Sequence, residues 1–154
     1  MGAVPFQLAM GAAQYKAQGE IGKFNQRVNN RNALILEGQA DQIEAKAEFD
    51  IAQFEKNFTK IEGQTKVALA KSGVVMDSGS AYNIQLSNAY EAQLQKQLIK
   101  YNSQVAAANK MEEANFARIR GTMARSESKL AQITTVAQTG SNIYSMMNKP
   151  KGVA

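Results

Sequence analysis

The sequence predicts an all-α protein: an elongated antiparallel hairpin of long helices, coiled-coil-like and completed by oligomerisation. Three observations predict this fold. The two prolines, Pro5 and Pro150, leave the chain between them free of proline, so ring chemistry bars no helix there. The composition favours Ala, Gln, Lys and Glu, which helices accept at low cost. Only 7% of the residues are aromatic and Trp is absent, so a large core within one copy is not expected.

Apolar side chains recur every three or four residues in three stretches, which is the spacing of one helical face. The first stripe consists of Ile43, Ala47, Ile51, Phe54, Phe58, Ile61, Thr65 and Ala68. The second stripe consists of Tyr82, Leu86, Tyr90, Leu94, Leu98, Tyr101, Val105 and Ala108. The third stripe consists of Phe116, Ile119, Met123, Ser126, Leu130, Ile133, Ala137, Gly140, Tyr144 and Met147, with heptad-like spacing.

These stripes predict a first long helix over 29–71 and a second over 81–148, with a bend near Gly121 as an open alternative. Residues 1–28 form an uncharged segment and lead-in, and 149–154 form a tail. At about 1.5 Å per residue the second helix would be on the order of 100 Å long. Because a monomer of this size cannot cover such a helix, other chains are expected to complete its burial.

The hairpin turn is predicted over 72–80, where Gly, Ser and Asp cluster. Gly73 follows the last periodic position of the first helix, and glycine is the usual left-handed C-cap. Ser80 precedes the next helical pattern and is expected to cap it. Val74, Val75 and Met76 would pack into the bend. The Gly spacing and the following Lys of a phosphate-binding loop are missing.

The composition argues against an enzyme. The chain has no cysteine and no histidine, which removes thiolate chemistry, thiolate metal sites and histidine acid/base catalysis. Asp41, Glu44 and Glu48 are best explained as a solvated helix face. Ser126 and Lys129 match the Ser-x-x-Lys spacing of acyl enzymes without the rest of that site. We predict no catalytic residue, no metal and no cofactor.

The charge is asymmetric, because the net +5 includes +6 over residues 96–154. Five cations of the second helix fall within roughly 60° of arc. This basic stripe consists of Lys96, Lys100, Arg118, Arg125 and Lys129. It is a candidate surface for facing DNA or a lumen without reading bases, and a solvated face is the alternative.

Two stretches, Met1 to Tyr15 and Leu130 to Asn148, carry no Lys, Arg, Asp or Glu. Polar residues dilute the second too heavily for a transmembrane helix, and the first is short and broken by Pro5 and Gln7. They are expected either to pack subunits together or to enter a bilayer when their polar groups are covered. The candidate membrane or subunit-contact residues are Val4, Phe6, Leu8, Met10, Leu130, Ile133, Val136, Ile143, Met146 and Met147.

A family resemblance rests on the turn and on a segment downstream of it. The motif residues are Ser72, Gly73, Val74, Ser78, Gly79, Ser80, Tyr101 and Asn102. Over about residues 40 to 120 the chain resembles the internal virion proteins, or core and ejection proteins, of short-tailed bacteriophages (podovirus type), as a small member. In that family Ala-x-Ser-Gly-Val followed by Ser-Gly-Ser joins two long helices, and an apolar-basic-Tyr-Asn segment comes later. The chain departs from the pattern at Ala81, where many relatives have proline.

The resemblance implies a function. Such proteins are packaged inside the capsid near the portal, in a ring of copies with other virion core proteins. After ejection they help to form a conduit for DNA through the host envelope, the small member at the outer membrane. The expected partners are therefore further copies, core and portal proteins, genomic DNA bound non-specifically, and the host envelope membrane. The alternatives are a helical assembly protein, scaffold or adaptor that touches no membrane, and a non-specific DNA-binding helical module.

Overall fold

The computed structural model describes residues 3–73 and 79–148, with side chains from Pro5 onward. It contains two α-helices of 69 residues each, α1 (Ala3–Lys71) and α2 (Gly79–Met147). The described residues contain no strand. Contacts such as Gly11 with Thr139 and Glu55 with Lys96 show that α1 and α2 pack antiparallel. The predicted all-α class and helical hairpin are confirmed.

The first helix begins far earlier than predicted, at Ala3 rather than near residue 29. Pro5 is tolerated because a first helical turn leaves its amides unbonded anyway. Gly11, Gly19 and Gly22 do not interrupt the helix, although each costs about 1 kcal/mol relative to alanine. All three pack against side chains of α2. The predicted start of α1 depended on apolar periodicity, which is weak before residue 29. Packing against α2 stabilises the helix there instead.

The end of α1 agrees with the predicted C-cap. Gly73 has a left-handed φ of 74°, and its amide donates to the Ala70 carbonyl at 3.2 Å. The Ser72 hydroxyl donates to the Leu69 carbonyl at 2.7 Å. The predicted cap at Ser80 is wrong, because α2 begins at Gly79 and places Ser80 inside its first turn. Val74, Val75, Met76 and Ser78 lie outside the described residues.

The chain forms two compact units, each with one segment of α1 and one of α2. The first unit comprises Met1–Ile35 with Glu113–Ala154, and the second unit comprises Leu36–Glu112. Of the first unit, residues 3–35 and 113–148 are described. The second unit contains the end of α1 and the start of α2.

The second unit buries alanines between its helices, together with larger side chains that are half-buried. The buried residues are Ala40, Ala47, Ala81, Ala92 and Ala107. Phe54 and Phe58 stack with ring centroids 6.3 Å apart. The first stripe therefore faces α2 as a hairpin interface, except that Ile61 and Ala68 are exposed.

The first unit has a still tighter seam. Ala33 and Ala114 are fully buried, and the glycines Gly22 and Gly121 are buried with them. A Cβ on Gly121 would lie only 3.1 Å from Asn29 Cβ. Small residues on both helices therefore let the two backbones approach closely. The helix continues through Gly121 without interruption.

Candidate functional site

The second stripe faces away from α1. Its large members, from Tyr82 to Val105, are between 42% and 67% exposed, whereas Ala81, Ala92 and Ala107 on the same helix are buried. At about 100° per residue the two sets lie on roughly opposite sides of α2. The periodicity predicted from the sequence is present, but among the described residues of the second unit the large members of the stripe stay exposed.

The third stripe behaves in the same way within the first unit. Phe116, Ile119, Met123, Leu130, Ile133, Tyr144 and Met147 are each more than half exposed. Its smaller members Ser126, Ala137 and Gly140 are exposed too. Contiguous apolar surface of this kind marks an interaction site on a protein or a membrane.

The two uncharged stretches pack against each other in the first unit. We term residues 3–15 with 130–148 the uncharged helix pair. They enclose a groove of about 430 Å³ whose lining is entirely uncharged. Its residues are Leu8, Gly11, Ala12, Tyr15, Val136, Thr139, Gly140 and Ile143.

Most of the candidate membrane residues are exposed, and Leu8, Val136 and Ile143 line the groove of the pair. Six of the exposed ones are Phe6, Leu8, Met10, Leu130, Ile133 and Val136, and Met147 is the most exposed at 74%. Ile143 and Met146 are half-buried. The side chain of Val4 lies outside those described. Uncharged residues far apart in sequence thus form one surface.

Polar side chains at the seam of the pair are hydrogen-bonded inward. Thr135 Oγ1 lies 2.9 Å from Gln18 Oε1 and 2.9 Å from the Ala131 carbonyl, and either oxygen accepts its single proton. Gln132 Nε2 donates to the Tyr15 carbonyl at 2.8 Å. Thr139 donates to the Thr135 carbonyl of its own helix at 2.8 Å.

Three further polar side chains belong to the uncharged helix pair. Thr134 donates to the Leu130 carbonyl at 3.0 Å, and Ser145 donates to the Asn142 carbonyl at 2.9 Å. Among the described residues, Gln7 Oε1 is buried without a hydrogen-bond partner. Most of the hydroxyls that lower the hydropathy of the second stretch are therefore already satisfied within the protein.

The basic stripe does not form one free surface. Lys96 donates to Glu55 Oε1 at 2.8 Å across the helices of the second unit, and its side chain is 31% exposed. Lys100 lines a groove beside Glu44 and Glu48. Arg118, Arg125 and Lys129 belong to the first unit. The sequence predicted their shared angle on α2 but not the carboxylates that α1 places beside Lys96 and Lys100.

Removing the Lys96–Glu55 ion pair is expected to cost only about 0.5 kcal/mol of unfolding free energy, because partly exposed pairs are screened by water. Lys96→Met, Glu55→Gln and the double variant, compared by urea unfolding, would measure the coupling. A coupling free energy above about 2 kcal/mol would contradict this expectation. It would show that the ion pair contributes strongly to the stability of the second unit.

Arg125 and Lys129 meet two cations from α1 in the first unit. We term this site the basic groove, a groove of about 220 Å³. Its lining is Tyr15, Lys16, Gly19, Glu20, Lys23, Arg125, Ser128, Lys129 and Gln132. Sequence reasoning missed Lys16 and Lys23 because they fall in the predicted lead-in. Their helical spacing with Glu20 was the available signal.

Glu20 is the one carboxylate of the basic groove. Its Oε1 accepts a hydrogen bond from Lys23 Nζ at 3.0 Å. This hydrogen bond and the charge of Lys23 lower the pKa of Glu20, and the charges of Arg27 and Lys16 lower it further.

Of the motif residues, Ser72, Gly73, Gly79 and Ser80 flank the turn, and Tyr101 and Asn102 are exposed on α2. Val74 and Ser78 lie outside the described residues. Within 3–73 and 79–148 no group of three or more acidic side chains could hold a metal ion. Over the same residues, neither helix has a stretch long and apolar enough to cross a membrane.

Comparison of the chain with protein-family profiles, curated proteins and solved structures found no match. The resemblance to phage internal virion proteins therefore stays a hypothesis, carried by the motif residues. The function must be argued from the uncovered apolar stripes, the uncharged helix pair and the cationic surfaces.

Proposed function

We propose that this chain is a small internal virion protein of a short-tailed bacteriophage. It is packaged in the capsid near the portal and, after ejection, helps to form a conduit for DNA through the host envelope. The observation that carries the proposal is the construction of the first unit. Its seam consists of small and inwardly bonded polar residues, and its large apolar side chains point outward.

This construction suits two environments. In lipid, helix association depends on close packing of small residues and on interhelical hydrogen bonds, because lipid tails are as apolar as the side chains. The contacts of Gly11 with Thr139 and of Gln132 with the Tyr15 carbonyl are of that kind. They do not require water, so the uncharged helix pair would persist when its outer surface meets hydrocarbon.

The length of the α2 stretch supports insertion. The 18 residues from 130 to 147 span about 27 Å at 1.5 Å per residue, close to the roughly 30 Å hydrocarbon core of a bilayer. A single helix with this polar content would enter poorly. In a pair or a ring, the polar groups face one another or a lumen, and Phe6, Leu130 and Ile133 face lipid.

Before ejection, the exposed apolar stripes must pack against other proteins and not against lipid. In the proposal, further copies in a ring, other core proteins and the portal cover the second and third stripes inside the capsid. Release exchanges these contacts for host outer-membrane lipid and for non-specific contact with the genomic DNA. Such a switch requires two packings separated by only a few kcal/mol, which a lightly packed, alanine-rich seam favours.

Dye release from lipid vesicles tests the proposal. The variant Ile133→Asp with Val136→Asp places two carboxylates at exposed apolar positions of the uncharged helix pair, the second of them beside its groove. Because each Asp costs about 3 kcal/mol at the centre of a membrane helix, release is expected to fall at least about 100-fold. Wild-type protein that releases no dye, or a variant that retains full release, would contradict the proposal.

The matched control is Ile61→Asp with Val67→Asp, which makes the same changes at apolar positions of the second unit. These side chains are 59% and 55% exposed, against 65% and 58% for Ile133 and Val136. Dye release by this control is expected to stay within about threefold of wild type. Circular dichroism would establish that both variants remain helical.

The second candidate is a helical assembly protein that never enters a membrane. The observation that favours it is the heptad spacing of the exposed third stripe, which suits a neighbouring helix as well as lipid. It predicts a stable oligomer without vesicle affinity, so the same vesicle experiment separates the two. The DNA-binding module has less support, because Lys96 is paired with Glu55 and Lys100 lies beside Glu44 and Glu48.

A further inference from the structure

We propose that the basic groove of the first unit binds the phosphate of an anionic lipid headgroup. The inference rests on the proposed function, because it assigns a partner to the border of the uncharged helix pair. It does not follow from the uncharged surface alone. It uses α1 cations, Lys16 and Lys23, that play no part in the argument for insertion.

The groove has the composition of an oxyanion site. Four cations, Lys16, Lys23, Arg125 and Lys129, line it against the single carboxylate of Glu20. Its volume of about 220 Å³ leaves room for a tetrahedral oxyanion. Arg125 is half-buried, and guanidinium groups suit phosphate because they donate in a planar fork.

Glu20 is the anion that the protein itself places in the groove. Its pKa is lowered first by Lys23 and then by the more distant charges of Arg27 and Lys16. Lys23 Nζ lies 3.0 Å from this carboxylate. A phosphate would compete with this carboxylate for Lys23.

The position of the groove favours lipid over DNA. Tyr15 and Gln132 line the groove, and both also belong to the uncharged helix pair. Lys16 and Lys129 are the first charged residues beyond the pair on each helix. When the pair enters hydrocarbon, these cations arrive at the level of the headgroups, where basic residues gain about 1 kcal/mol each from anionic lipid. A DNA backbone would need a row of cations extending beyond the groove on both sides. On one side of this groove lies the uncharged helix pair.

The first test removes cations. The variant Lys16→Gln, Arg125→Gln and Lys129→Gln is compared with Lys46→Gln, Lys56→Gln and Lys60→Gln, which removes three exposed cations of the second unit. Full-length proteins are sedimented with phosphatidylcholine vesicles, with and without phosphatidylglycerol. The groove variant is expected to bind the anionic vesicles about 100-fold more weakly, and the control within about threefold of wild type. Equal losses in both would overturn the site.

The second test changes affinity in the opposite direction. Glu20→Gln removes the internal competitor and is expected to raise binding to the anionic vesicles about fivefold. Glu62→Gln is the matched control, because Glu62 pairs with Lys66 at 2.8 Å in the second unit. An unchanged or weakened Glu20→Gln variant would overturn the proposal.

Additional binding measurements identify whether the phosphate belongs to a lipid, a free anion or DNA. Inorganic phosphate at matched ionic strength is expected to compete with anionic vesicles for wild-type protein. Binding of inorganic phosphate without binding to vesicles would overturn the lipid assignment in favour of a free anion. A groove variant that loses affinity for duplex DNA and keeps affinity for vesicles would overturn it in favour of nucleic acid.

Binding and dye release separate this inference from the proposed function. Wild-type protein that binds anionic vesicles through the groove and releases no dye would support the site and contradict the conduit. A groove variant that binds and releases like wild type would contradict the site alone.

Discussion

Replacement of Gly22 by leucine is expected to destabilise the first unit by about 3 kcal/mol. Gly22 is buried, and a Cβ there would overlap Cβ and Oγ of Ser128. The Ser128 hydroxyl donates to the Gln18 carbonyl, so a displaced Ser128 would also lose that hydrogen bond. A leucine side chain has no room unless the helices separate, although leucine is the better helix former.

Amide hydrogen exchange over residues 16–30 would measure this effect, because opening of the first unit exposes those amides. Gly140→Leu is the matched control within the same unit, since nothing lies within 4 Å of a Cβ at Gly140. It is expected to leave exchange unchanged or slow it, through a helix-propensity gain of up to about 1 kcal/mol. Similar acceleration in both variants would show that close approach at Gly22 does not hold the unit together.

Leu94→Asp with Leu98→Asp is expected to weaken self-association at least about 100-fold. The two leucines are 47% and 52% exposed on the second stripe. If other copies cover that stripe, each carboxylate would be buried without a partner at a cost of a few kcal/mol. About 1.4 kcal/mol corresponds to a tenfold change in affinity, so two such residues give the expected loss.

Sedimentation equilibrium of full-length protein over a range of concentrations would measure the association. Gln93→Asp with Asn102→Asp is the matched control, because it adds the same charge at exposed positions of α2 outside the stripe. Its association is expected to stay within about threefold of wild type. Dissociation of both variants alike would point to general charge repulsion and would remove the second stripe from the interface.

The basic groove shows why part of the candidate site was out of reach of sequence reasoning. Lys16 and Lys129 stand more than a hundred residues apart, and no local pattern links them. Only the antiparallel register of α1 and α2 brings them to one groove. The same register puts Glu55 beside Lys96, which makes that cation part of the hairpin contact. The angular position of each cation around α2 was predictable from the sequence. The residues that α1 places beside each cation were not.

The sequence by itself determined the helical class, the C-cap at Gly73 and the periodicity of all three apolar stripes, because these depend on residues a few positions apart. Only the tertiary structure decided which face of α2 meets α1. Leucine and tyrosine stripes resemble a core, yet α1 packs on the opposite face, where Ala81, Ala92 and Ala107 are buried. Small side chains allow the closer backbone approach, which leaves the larger apolar side chains outside and available to partners.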